Sequence, residues 1–338
     1  MTLTPPIFHD FSDAYTAVLR RIHISPQYQT RRRGEDATTV PNISFRLADP
    51  TRRLVFLAAR RANIALHYAE ALWSLLGRDD RTMLGYYAPP LTVLSSDGAP
   101  LTGTASGQRL ALPAQPDWMS RFDQVIDLLH RDPDSQRAGI PITRADPDNP
   151  DLAGTLGLHL TIRDGRPHLS AYLYGCDAVL GLPGDTFAFT VVQEYAARRL
   201  QVPVGTYTHH VRSMRLNIRD LDTVAAVLAE ADHGPAPVFT PMPMPATTTR
   251  DLEQVLLWEH RLRTNHAGLS VTAAHAVPLD PYWRRVLLLF EAYRQIRHTA
   301  GSVTAEVAAA LDDGHRWLLA ARWPERITAA SAAWLGPA

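Results

Sequence analysis

The chain has 338 residues, 34 Lys+Arg against 34 Asp+Glu, no net formal charge, and an apolar fraction of 46%. That length fits one large domain or two ordinary ones, with ample material for a core and no signature of disorder. Every basic residue is arginine, which excludes Schiff-base lysines, Walker-type phosphate lysines and a lysine general base. The single cysteine, Cys176, excludes an intramolecular disulfide and a Cys-rich zinc site. Zero net charge leaves no footprint for nucleic acid. No run approaches about eighteen apolar residues, and Met1 to Asp10 lacks the basic-then-apolar order of an export signal. The expectation is a soluble, cytoplasmic protein with a small-molecule partner and neither nucleic-acid nor membrane partners.

In chain order, apolar spacing predicts a helix over 11–22, with Ser12 as a plausible N-cap. A polar loop follows over 27–36, carrying Arg31, Arg32 and Arg33. Such a run is either a solvated loop or, through the bidentate fork of arginine, a phosphate clamp. Residues 54–76 read as a buried helix ending at Gly77, which makes Glu70 conspicuous, because a carboxylate there either pairs with arginine or does chemistry. Loop-rich sequence fills 88–116, a helix 118–130 and a loop 140–151. Two alternating strands around Asp164-Gly165 form a hairpin, with a helix over 187–200 and a strand over 207–218 after it. Residues 233–248 read as a Pro-rich linker, its Met242 and Met244 incidental. Helices over 250–265, 281–296 and 303–322 follow. The division is a core, 1–232, the linker, 233–248, and a helical C-terminal part, 249–338, packed on that core. The class is α+β. His209, His210, His260 and His266 lack convincing metal spacing, so no metal site is expected.

Several segments occur together in a fixed order: Ala69-Glu70-Ala71-Leu72-Trp73 with Leu76-Gly77, then Asp97-Gly98 and 103–109. Asp132-Pro133-Asp134-Ser135-Gln136-Arg137 and Ile162-Arg163-Asp164-Gly165 come next. Leu169 and Cys176-Asp177-Ala178-Val179-Leu180-Gly181-Leu182-Pro183 complete the series. Over roughly residues 10–220 this pattern resembles the thymidylate synthase family, which includes the pyrimidine nucleotide hydroxymethylases. The resemblance implies a thymidylate synthase-like fold, a large mixed β-sheet flanked by helices, here with a helical C-terminal extension. It also implies a homodimer built on one sheet face, which apolar residues alternating along the hairpin strands would fill. The implied cofactor is 5,10-methylenetetrahydrofolate, and the implied chemistry begins with a cysteine thiolate adding to the pyrimidine ring.

The sequence departs from the family where that chemistry starts. The cysteine position, counted back from Gly165, is Gly154, which has no nucleophile. Cys176 lies elsewhere in the pattern and reads as a packing residue. The phosphate-gripping Arg-Ser is Tyr174-Gly175, the arginine pair is Gln136-Arg137, and a conserved-type tyrosine is Ser106. The His-x-Tyr that holds the sugar is Arg215-Leu216-Asn217. By the resemblance, Glu70 manages water and protons near the base, Asp177 orients the pterin, and Asp185 takes the position that reads the base edge. Asparagine there suits uracil, whereas a carboxylate accepts from the exocyclic amine of cytosine. Helix capping is the structural rival for Asp185, and a turn role the rival for Asp177. The expected site is therefore Glu70 and Asp177 as catalytic residues, with Asp185, Arg137, Arg33, Ser106, Tyr174 and Asn217 on the substrate. The expected function is one-carbon (hydroxymethyl or methyl) transfer to a pyrimidine-like or other electron-rich heterocycle without cysteine attack, as in specialised nucleoside metabolism. The alternative is a non-catalytic paralogue serving as a binding or regulatory subunit.

Overall fold

A computed structural model describes residues 4–32, 34–88, 106–111, 119–142 and 154–327. The first half runs β1 (Ile7–Phe8), α1 (Phe11–Ile24), β2 (Tyr28–Arg32), β3 (Glu35–Leu47), α2 (Ile64–Leu75), α3 (Arg81–Tyr87), α4 (Ser106–Ala111), α5 (Arg121–Arg131) and β4 (Gly139–Pro141). The hairpin β5 (Thr155–Arg163) and β6 (Arg166–Leu173) leads through β7 (Cys176–Asp177) to α6 (Gly181–Leu200), β8 (Tyr207–Asn217) and α7 (Leu221–His233). Then come α8 (Thr249–Arg263), α9 (Val271–Ala276), α10 (Pro281–His298), α11 (Ala305–Ala310) and α12 (Asp313–Arg322).

The described strands form one mixed sheet in the order β1-β3-β8-β6-β5-β4, with β2 paired to β3 and β7 to β8. Residues 27–36 are thus largely a hairpin and not a loop, closed at Gly34 and paired from Tyr28↔Thr39 to Arg32↔Glu35. Arg33 lies outside the described residues. The long strand β3 escapes a periodicity reading because Pro41 and Asn42 interrupt it. The β3–β8 register is the same on both sides of Asn42, which sits at φ 56 and is itself left out of the pairing. Asp164 and Gly165, both at positive φ, make the hairpin turn their sequence announces.

Alternation decides which sheet face is covered. Leu158, Leu160, Leu169, Ala171 and Leu173 are buried, in register with buried Tyr207, His209 and Val211 on β8. These apolar positions lie under the chain's own α1, α5 and α6, contrary to the expectation that a partner would cover them. The opposite face carries Ser44, His210 and Tyr172 in one row and Arg46, Thr208, Ser170 and His159 in the next. Tyr172 stacks flat on His210, 4.9 Å between ring centroids, and is 42% exposed.

Three helix boundaries move. The cap of α1 is Asp10, which accepts from Asp13 N–H, while Ser12 instead donates to the Leu54 carbonyl. Residues 54–63 are not helical beyond a single 3-10 turn, Ala58–Arg60, and α2 begins only after Asn63, whose side chain accepts from Leu66 N–H. The span 303–322 breaks at Leu311 and Asp312 into α11 and α12.

The Pro-rich stretch 233–248 is fixed to its surroundings and does not behave as a free tether. Met244 is buried, and its N–H donates to Glu194 on α6. Glu194 also forms a fully buried ion pair with Arg53, and Trp283 on α10 donates to Thr247. One continuous apolar cluster runs from Phe11 through the core helices to Leu318 and Ile327. Removing one partner of a buried pair strands the other charge, so Glu194→Ala should cost about 3–5 kcal/mol. Breaking the exposed Arg20–Asp232 pair should leave the denaturation midpoint essentially unchanged. Urea denaturation of both variants checks the contrast.

Candidate active site

Helices α2 and α6 pack against each other, and their contact is closest where Gly184 meets Glu70. A Cβ at Gly184 would stand 2.9 Å from Glu70 Oε2, so only glycine leaves that carboxyl its place. Oε2 is buried with no hydrogen-bond partner, although about a quarter of the side chain's surface is exposed. Burial pushes Glu70 up to about 8, against a smaller opposing pull from Arg60. Glu70 is therefore mostly protonated at neutral pH.

Asp185 follows directly on Gly184. It is not a helix cap, because α6 begins four residues earlier with Leu180 at its N-cap. Burial raises Asp185 to about 7; the nearby Glu70 and Asp177 charges add to the rise, while the Cys176 thiol opposes it by donating to Oδ2 at 3.4 Å. The same burial, with the Asp185 and Asp177 charges, holds Cys176 well above the ordinary thiol value. A thiol that keeps its proton is a poor nucleophile.

Asp177 fills the turn role. Its Oδ1 accepts from Val179 N–H at 3.0 Å and Leu180 N–H at 2.8 Å, and its Oδ2 from Asn217 Nδ2 at 2.7 Å. Asn217 is buried, also donates to Asp220, and leaves its own Oδ1 unpartnered. Four expected residues, Glu70, Asp177, Asp185 and Asn217, thus form one neighbourhood around Cys176.

The cysteine position closes against the same group. Gly154 O accepts from Tyr174 N–H at 2.7 Å, and a Cβ at Gly154 would lie 2.7 Å from the Gly175 carbonyl oxygen. Backbone occupies the space a side chain would need. Tyr174 itself points partly to solvent, 42% exposed. Arg137 is not brought to the group: it is exposed just before β4, three strands from β8. Ser106 opens α4, but its side chain lies outside the description.

Sequence reading missed three residues here. His67 sits one turn before Glu70, its Nδ1 3.6 Å from Oε2, and their i, i+3 spacing was the available signal. Arg60 approaches His67 Nε2 at 3.3 Å, and Gly184 had no signal beyond its place before Asp185. A separate cavity of about 290 Å³ opens between 235–242 and the core, lined by Arg53, Tyr68, Phe239 and Tyr282. Phe187, which also lines it, stacks on His67. Among the described residues no group of three or more His, Cys, Asp or Glu is arranged to hold a metal ion, and no helix is long and apolar enough to cross a membrane.

No family model matches the chain. It is 27% identical over 250 residues to a deoxyuridylate hydroxymethyltransferase of Bacillus phage SP01, covering 66% of this chain and 65% of that protein. It is 26% identical over 303 residues to the deoxyuridylate hydroxymethyltransferase of Pseudomonas phage M6, covering 83% and 82%. The described fold matches thermostable thymidylate synthase A from Bacillus subtilis with a TM-score of 0.53 at 16% identity, over 65% of this chain and 84% of that one. The chain is thus similar in sequence to proteins named deoxyuridylate hydroxymethyltransferase, and its described fold is that of a thymidylate synthase. It spans just under two thirds of the SP01 protein's length.

The raised carboxyls make stability depend on pH. Glu70 rises from 4.5 to about 8 and Asp185 from 3.8 to about 7, so the native state holds protons the unfolded chain has already released. Their contribution is complete below the unfolded values and is lost as pH climbs through the folded ones. Glu70→Gln should flatten that decline, leaving the variant more stable than wild type by roughly 1–3 kcal/mol at about pH 9 but not at about pH 4. Urea melts at the two pH values check it.

Proposed function

We propose that this chain is a folate-dependent one-carbon transferase of the hydroxymethylase kind, acting on a pyrimidine-like or other electron-rich heterocycle without covalent cysteine catalysis. The observation that carries the reading is a pair of carboxyls raised by burial, Glu70 mostly protonated and Asp185 near its midpoint at neutral pH, together with backbone standing over the position the resemblance gives to the nucleophile. The relatives named deoxyuridylate hydroxymethyltransferase support the reaction class. Asp185 argues for a substrate whose edge offers an amine, because the ionised carboxylate only accepts. With no thiolate to activate the ring, the reacting carbon must already be nucleophilic, and Glu70 moves the proton that its attack releases. A neutral carboxyl near its midpoint at working pH suits that exchange in either direction.

Asp177 fits a pterin. A carboxylate offers about four lone-pair positions, and three are taken by Val179, Leu180 and Asn217, which leaves one acceptor. When bound, the folate would supply the one-carbon unit. Stacking partners differ from the family pattern, since no tryptophan occurs at 90–93. The second reading, a binding or regulatory paralogue, is favoured by one observation: Asp177 has a complete structural role in its turn. Incubation with cytosine and uracil nucleosides and nucleotides plus 5,10-methylenetetrahydrofolate separates the two. A hydroxymethylated product by mass spectrometry, and no nucleotide left on the denatured protein even with a fluoropyrimidine, is the expected outcome. A stable covalent adduct would refute the cysteine-free mechanism, and turnover of no substrate would favour the paralogue.

The uncovered sheet face suits a second copy of the chain. Its Tyr172–His210 stack and its Ser and Thr rows provide a flat polar-aromatic surface of the kind that pairs across a two-fold axis. Sedimentation should give a dimer at micromolar concentration, and His210→Glu, which sets like charges against each other across the axis, should give monomer.

A further inference from the structure

The ring nitrogens of His67 have different neighbours, and the neighbours fix the tautomer. Nε2 faces Arg60 Nη2 at 3.3 Å. A guanidinium only donates, so Nε2 must accept and the single proton of a neutral imidazole sits on Nδ1. Arg60 is itself held in place: Glu230 on α7 accepts from the N–H groups of Ala58 and Ala59 at 2.8 and 2.7 Å, pinning the 3-10 turn that carries it. Its guanidinium lies 5.7 Å over the Tyr15 ring. The imidazole is stacked on Phe187, 5.4 Å between centroids at 23°.

Nδ1–H therefore points toward Glu70 Oε2, 3.6 Å away, and neither atom has a hydrogen-bond partner. That separation is too long for a bond. It describes a donor waiting beside a carboxyl that is still neutral. Once Glu70 is ionised, Oε2 becomes a charged acceptor, and a small side-chain rotation reaches the charge-assisted range of about 2.7–2.9 Å. Gly184 leaves room for the movement, because no side chain at 184 crowds Oε2 from the other side. We propose that His67 is a positioning residue for Glu70, fixed by Arg60 in the Nδ1–H form so that it supplies the hydrogen bond that the ionised Glu70 gains.

His67 lends no charge in this arrangement. Burial, with Arg60 from the 3-10 turn and Arg322 from α12, holds it well below the ordinary imidazole value. The charged or titratable groups facing the pair are those two arginines and, from α6, Asp185. The inference rests on Glu70 being the acid–base group of the site, but its test does not need turnover.

Side-chain 15N and 13C NMR of the full-length protein, labelled at histidine and glutamate, reads both members. Wild type should show His67 protonated on Nδ1 and bare on Nε2, with Glu70 titrating near 8. His67→Phe keeps the ring stack on Phe187 but deletes the donor, and should make Glu70 a roughly tenfold weaker acid. His67→Asn places an amide N–H where Nδ1 stood and should restore most of the wild-type midpoint. A proton found on Nε2, or a Glu70 midpoint unmoved in His67→Phe, overturns the proposal while leaving the acid–base reading of Glu70 intact. A wild-type Glu70 that titrates near 4.5 overturns that reading as well.

Discussion

A carboxyl group buried between two packed helices, with a glycine where the second helix would otherwise touch it, sets the terms for everything around it. Glu70 sits on α2, a helix most of whose residues are buried, and its Oε2 is shut away from water, so its charge is poorly stabilised there. Leucine at that position would bury more apolar surface without the desolvation penalty, and Gly184 gives up helix propensity of about 1 kcal/mol to make room. Two unfavourable choices meeting at one point are hard to explain by packing. They are the expected mark of a group kept for its proton, and Asp185, the next residue after that glycine, repeats the pattern.

Much of this was legible in the sequence, for physical reasons that differ from element to element. Glu70 stood out because a carboxylate in an apolar helical stretch violates the rule that the rest of the stretch obeys. The hairpin at Asp164-Gly165 was legible because its turn needs positive φ at both central residues. Strand β3 was not, since Pro41 and a positive-φ Asn42 interrupt the pattern that marks a strand. The rival readings of the two aspartates separated only in three dimensions. Residues 181–184 carry two glycines and a proline, which read as a loop, yet they are the first turn of α6, and this moves Asp185 from cap to interior. His67 was within reach, being three residues from Glu70, but an isolated histidine on an apolar face carries no signal until its neighbours are known.

The stretch 233–248 shows composition misleading in the opposite direction. Five prolines in sixteen residues suggest a spacer, but proline also lowers the entropy lost when a segment is fixed against a surface. Here Met244 and Thr247 supply the anchors, one to a buried glutamate and one to a buried tryptophan. The segment forms a wall between the core and α10, and the cavity behind it is bounded by both.

The closure at Gly154 bears on how the chemistry must run. The resemblance puts a thiolate nucleophile at position 154, and loss of the thiol alone would leave an otherwise intact pocket. The geometry shows more than a loss. The Gly154 carbonyl accepts from the Tyr174 N–H, and its Cα side packs against the Gly175 carbonyl, so the two strand ends have come together over the place a side chain would need. Simple restoration of cysteine would push the chain segments apart and break that contact. Backbone standing over the position that the resemblance gives to the nucleophile, with two proton-holding carboxyls in the same fold, fits the proposal of a ring carbon that needs no covalent activation. The unpaired oxygen of Glu70 favours that proposal, because a residue retained only for structure would have found a partner.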